Sequence, residues 1–160
     1  MTHSVTLSVD DYALALHIAH QRMMESLWNN RRDALFEKDW VLAHRVHLLG
    51  GIGEGALAKW LDTYPRCSVR QFHGMDSDLS GSIEVRHRAN PTHDLIIRSD
   101  DPEDRIYVLT RGLPPGEIEM GGWCWGYEWK GKSLANHGDW GEATFVPSAQ
   151  LHDMETIPRQ

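Results

Sequence analysis

Cysteine is scarce: Cys67 and Cys124 are the whole complement, far apart and in no Cys-x-x-Cys arrangement. Neither a disulfide framework nor a zinc ribbon is indicated, and both residues read as ordinary thiols. No apolar run approaches the roughly 18 residues that a membrane span needs. The stretch from Met1 to Val9 also lacks the basic and apolar regions of a signal peptide, which predicts a soluble, cytoplasmic protein with no membrane partner. A Gly-x-Ser-x-Gly elbow is absent, so a serine nucleophile is poorly supported. The run Gly50-Gly51-Ile52-Gly53-Glu54-Gly55 lacks the Gly-Lys-Ser/Thr ending of a phosphate-binding loop, and its acid would repel phosphate. Cations are outnumbered too: the formal net charge is -7, which argues against indiscriminate coating of nucleic acid.

The distribution of charge qualifies that exclusion. Arg66, Arg70, Arg86, Arg88, Arg98, Arg105 and Arg111 lie in one segment beside eight acids, so this segment is nearly neutral while the rest is acidic. A local basic track can form there if the arginines converge. At 160 residues the chain has enough material for one core, which predicts a single domain with helices over about 9–61 and a β-rich remainder.

Ser8 followed three residues later by Asp11 predicts a helix N-terminus. The helix should run from Val9 into the high twenties, with Tyr12, Leu16, Ala19, Met23 and Leu27 on its core face. Asp39 is a candidate cap for a second helix reaching Leu61. Four glycines inside it, Gly50, Gly51, Gly53 and Gly55, predict either a break at Gly50-Gly51 or close packing on a neighbouring element. Downstream the period changes to two, giving strands near Ser68 to His73, Gly81 to Arg88, Asp94 to Arg98 and Arg105 to Thr110, the last apolar enough to be central. A further strand should start at Glu117. If it persists, Trp123, Trp125, Tyr127 and Trp129 share one face, for stacking on bases or for burial against a helix or the tail. Phe145-Val146-Pro147 predicts a short edge strand ended by its proline.

The chemistry concentrates in Asp78 to Arg86. Strand alternation sends Ile83 and Val85 to one face, and Glu84, Arg86 and Arg88 to the other. Asp78 stands before the bend that Ser80 and Gly81 favour, and Asp76 is the alternative turn carboxylate. Two carboxylates and a cation suit Mg²⁺, which takes one or two protein carboxylates and fills its other positions with water and substrate phosphate. A surface strand with alternating charge is the bland alternative. A histidine-based zinc site is another: His44 and His47 share a helix face and His87 and His93 flank a turn, but no further ligand is marked by spacing.

In order, Gly51-Ile52-Gly53-Glu54-Gly55-Ala56-Leu57-Ala58, Asp78, Ile83-Glu84-Val85-Arg86, Asp94 to Leu109, Gly122-Trp123 and Phe145-Val146-Pro147 resemble the PD-(D/E)xK nuclease superfamily, in particular its small phage and prophage-type members. The resemblance implies an α/β fold, a mixed β-sheet flanked by helices in a restriction-endonuclease-like core. It implies a nuclease that hydrolyses phosphodiester bonds in DNA with Mg²⁺ or Mn²⁺ held by Asp78, Glu84 and Glu54, and Arg86 as the fourth catalytic residue. Arg88 and Arg98 would contact nucleic acid. A homo-oligomer or a phage protein complex in the cytoplasm of a bacterial host would be its setting. Arg86 departs from the usual lysine; arginine stays charged and cannot serve as general base. A nuclease fold kept for nucleic-acid binding or phage assembly without cleavage is the alternative.

Overall fold

The structure is a computed structural model and describes residues 3–28, 39–63, 79, 82–132, 134–136 and 141–158. The strand predicted at Ser68 to His73, and Cys67, Asp76, Asp78, Ser80 and Gly81, lie outside the described residues.

Helix α1 (Val9–Trp28) begins where local chemistry dictates. The Asp11 amide donates to Ser8 Oγ at 3.2 Å and the Ser8 amide donates to the Asp11 carboxylate at 2.7 Å, so cap and third helical residue satisfy one another. Helix α2 (Trp40–Trp60) is capped by Asp39, whose carboxylate accepts the Leu42 amide at 3.0 Å. The helix runs unbroken through Gly50-Gly51. Close packing explains Gly51 and Gly53 instead: a Cβ on Gly51 would stand 2.6 Å from Ala19 Cβ, and one on Gly53 would stand 2.6 Å from Thr110 Oγ1. The same closeness corrects the expected face of α1. Ala15, Ile18, Ala19 and Met23 are buried while Leu16 is exposed, because small residues must face the glycine stripe of α2.

The β elements are β1 (His3–Val5), β2 (Ile83–Arg88), β3 (Leu95–Arg98), β4 (Ile106–Arg111), β5 (Ile118–Trp125), β6 (Leu134–Asn136) and β7 (Glu142–Val146). One sheet has the order β1-β5-β4-β2, in which β4 is parallel to β2 and antiparallel to β5. The sheet is therefore mixed, and β4, buried over nearly its whole length, is internal as its apolar run predicts. A second, antiparallel sheet has the order β3-β7-β6. Here the edge-strand expectation is corrected: β7 lies in the middle, with Leu95–Arg98 on one side and Leu134–Asn136 on the other.

Two apolar clusters separate the layers. Ile52, Ala56 and Leu57 of α2 pack on Ile83, Val85, Ile106, Val108 and Ile118, joined by Val5, Leu7, Met154 and Ile157. On the other face Tyr107, Leu109 and Cys124 pack with Leu95, Ile97 and Val146. Burial pushes the Cys124 thiol up to about 12, assisted by Glu128, so it is an inert core residue. Helix α2 thus covers one face of the mixed sheet, with α1 packed on α2, and the second sheet covers the other face.

The predicted aromatic strand is also corrected. It ends at Trp125 and turns into a short helix α3 (Gly126–Trp129), where the Glu128 carboxylate accepts the Trp125 amide at 2.8 Å. Gly126 is required at the turn, since a Cβ there would meet the Pro102 carbonyl oxygen at 2.7 Å.

Candidate functional site

Strand β2 alternates as its sequence predicts. Ile83 and Val85 are buried beneath α2. His87 also lies on that side, under Gly53. Its Nε2–H donates to the Gly112 carbonyl at 3.1 Å, which leaves Nδ1 to accept the Thr110 hydroxyl at 3.1 Å. Burial lowers its pKa to about 4, against the smaller opposing effect of the Gly112 bond.

Glu84, Arg86 and Arg88 leave the opposite face. Arg105, just before β4, lies on this face with Tyr107 by the same alternation, and its guanidinium bonds the Glu84 carboxylate. Arg86 Nη1 stands 3.7 Å from the other Glu84 oxygen, and Arg86 Nη2 donates to Asp101 Oδ1 at 2.8 Å. Asp101 uses its second oxygen to accept the Arg98 amide at 2.8 Å, so one carboxylate both closes the 98–101 turn and holds Arg86. Beneath, Arg86 Cζ lies 5.2 Å from the Tyr107 ring centroid, and the Tyr107 hydroxyl donates to the Pro102 carbonyl at 2.8 Å. Burial, with Asp101 and Glu84 adding to it against Arg86 and Arg105, raises the Tyr107 pKa and keeps the phenol protonated.

The result is a half-buried ionic cluster. Glu84 and Asp101 keep 12% of their side-chain surface, Arg105 13% and Arg86 24%, too little for these to count as exposed surface pairs. Removing one partner from such a cluster costs more than its pairing contributes, because the remaining charge stays poorly solvated.

The other predicted residues are distributed differently. Glu54 lies on α2, over the Ile83 and Val85 face, and is ion-paired with Arg22 of α1. The sheet therefore separates Glu54 from Glu84. Arg88 is half-buried; desolvation lowers its pKa, Asp94 opposes the shift and Arg98 adds to it. In the ladder Arg88 stands beside Arg111, which bonds Glu119 and Ser148. Arg98 is exposed, and Asp78 lies outside the described residues. Among the described residues no three His, Cys, Asp or Glu side chains gather as a metal-binding group, which leaves the histidine alternative without a cluster. Of the aromatics, Trp123 is buried under the tail, with His152 at 4.6 Å between centroids and its Nε1–H donating to the Asp153 carbonyl at 3.0 Å. Only Tyr127 among the four is largely exposed, stacked on Trp125 at 5.7 Å.

Comparison of the chain with models of protein families, with curated proteins and with solved structures returns no match. The site is defined by its own geometry. Glu84 offers anionic oxygens on the outermost described strand of the mixed sheet, and the Arg105 guanidinium bonds them, so a cation there would have to displace an arginine.

Sequence reasoning missed Asp101, Arg105 and Tyr107 as partners. Each stood in a segment marked as a turn or a core strand. The signal that finds them is the parallel register of β2 with β4, which sets Glu84 opposite Tyr107 and brings Arg105 one position before the ladder.

Proposed function

We propose that this protein is a metal-dependent nuclease that hydrolyses phosphodiester bonds, with DNA as substrate and a restriction-endonuclease-like core. The observation that carries the reading is the emergence of Glu84 and Arg86 from one face of β2 into one half-buried cluster. A solvated strand with alternating charge would not order Arg105, Asp101 and Tyr107 around those two residues.

Glu84, with Asp78 by the family resemblance, would hold Mg²⁺ or Mn²⁺, which supplies Lewis-acid polarisation of the phosphate and a more acidic water when bound. Arg86 orients a phosphate oxygen; the Asp101 carboxylate and the Tyr107 ring restrict its guanidinium to few positions before substrate arrives. Because arginine stays charged, Arg86 stabilises anionic charge and does not take the proton of the attacking water. Arg88 and Arg98 extend positive charge along the same region, and Glu54 serves the α1–α2 contact through Arg22.

One observation favours a second reading, in which the fold binds nucleic acid without cutting it: Arg105 and Arg86 together neutralise Glu84. Calorimetry with Mn²⁺ and a plasmid-nicking assay on the same samples separate the two. The nuclease reading expects metal-dependent nicking, lost in both Glu84→Ala and Asp78→Ala. DNA binding with no nicking in Mg²⁺ or Mn²⁺ would transfer the assignment to the binding module.

A further inference from the structure

We infer that Arg88 anchors a phosphate site of its own, apart from the Glu84 cluster, and that its ligand is the nucleic-acid phosphate next to the one held at Arg86. The identity of the ligand rests on the proposed nuclease reading; what is added is a fixed course for the bound strand, along β2.

Three features support it. First, Arg88 is a charge without a counter-ion. Its side chain is half-buried at the end of β2, and its Nε is shut off from solvent with no hydrogen-bond partner. Among the described residues its guanidinium makes no hydrogen bond and no ion pair. Asp94 acts on it from beyond ion-pair distance, and Arg98 works in the opposite sense. Arginine does not shed its proton to escape burial, so the placement costs stability until an anion arrives.

Second, the neighbouring arginines take the acids on this side. Arg111, directly beside Arg88 in the parallel ladder, brings a like charge, which is unfavourable across paired strands. Its own guanidinium is turned to Glu119 at 2.5 Å and to Ser148 at 2.8 Å. Arg86 has Asp101 at 2.8 Å. Arg88, next to both, is passed over.

Third, the spacing suits a nucleic-acid backbone. Arg86 and Arg88 leave the same face of β2 two residues apart, about 6.6 Å along the strand, close to the step between successive phosphates. Strand β2 is the outermost described strand of the mixed sheet, so a nucleic-acid strand laid along it meets both guanidinium groups. The planar fork of an arginine matches two oxygens of one phosphate.

The test uses the whole protein, with anisotropy of a labelled duplex oligonucleotide in EDTA over a range of salt, and thermal unfolding of the free protein. Arg88→Met keeps most of the stem and removes the charge. It should weaken DNA binding about tenfold and make the slope of log affinity against log salt shallower by about one, the loss of one phosphate contact. The free variant should unfold about 2–4 °C above wild type, because an unpaired half-buried charge is gone. A merely structural arginine would move that temperature the other way. Arg88→Lys keeps the charge without the fork and should bind DNA with an affinity between those of wild type and Arg88→Met. Arg45→Gln removes a charge from an exposed position on α2, across the sheet, and should change neither DNA affinity nor salt slope. Wild-type affinity and salt slope in Arg88→Met, or an unfolding temperature below wild type, overturns the inference. Stabilisation of wild type by inorganic phosphate that Arg88→Met lacks, with DNA binding unaffected by the substitution, assigns the site to free phosphate and overturns the nucleic-acid ligand. Wild-type protein that does not bind DNA refutes the nucleic-acid reading itself, a different failure from wild-type binding that Arg88→Met leaves unchanged.

Discussion

His87 joins two strands and a loop through both ring nitrogens, and its burial disfavours the charged imidazolium. Its folded pKa of about 4 lies below the ordinary 6.5, so the unfolded chain takes up a proton that the folded one refuses. The contribution is complete above pH 6.5 and is lost as the pH falls from there towards 4. Between about pH 7 and pH 5 the residue should remove about 2 kcal/mol of stability. Urea unfolding at the two values checks this, and His87→Gln should lack that part of the pH dependence. The residue's position was legible in β2, since alternation sends it inward with Ile83 and Val85. Its partners were not, because Thr110 and Gly112 are brought to it by a parallel pairing that no local pattern encodes. Glu84 and Arg105 illustrate the same division. The face of Glu84 followed from counting by two, whereas its counter-ion lay 21 residues away.

The glycines of α2 separate local propensity from tertiary contact. Nothing lies within 4 Å of a Cβ built on Gly50, so Gly50→Ala should stabilise the protein by about 0.5–1 kcal/mol. Gly53→Ala puts the same methyl 2.6 Å from Thr110 Oγ1 and 2.7 Å from His87 Cβ. That overpacking should cost about 1–3 kcal/mol, and thermal unfolding of the two variants should give shifts of opposite sign. Helix starts at Ser8 and Asp39 were legible because capping is local chemistry. The aromatic run was not, for two reasons. The β4–β5 register slips between Leu109 and Thr110, opposite Gly121, and the strand stops at Trp125 because Gly126 must approach the 102–103 carbonyls. The slip lets Trp123 share the α2 face with Ile118 and Met120 although it stands three residues after Met120.

The chain closes its core with residues from near both ends: Val5 and Leu7 share one cluster with Met154 and Ile157. Met154→Ala, at a site with 1% exposure, should therefore destabilise the molecule by about 2–5 kcal/mol. The loss should appear in one unfolding transition followed both by tryptophan fluorescence and by helical circular dichroism, since Trp123 and α2 belong to that cluster. Two long helices followed by a β-rich remainder were legible from the order of periodicities, whereas the mixed sheet was only what the family resemblance implied. The second sheet was not legible, because β6 is only three residues long and the middle position of β7 depends on β3 and β6 finding it from opposite sides.

The pairing of His3 with Met120 has a further consequence, in the order of synthesis. Strand β1 leaves the ribosome well before β5, the strand it pairs with, which lies more than a hundred residues further along the chain. During most of translation α1 and α2 exist without the sheet that covers Ile52 and Leu57, so the nascent chain displays a sticky helical pair that only the emergence of β4 and β5 can cover. Slowing elongation before β4 would lengthen that interval, which makes the rate of translation itself a determinant of how much folded protein a cell recovers.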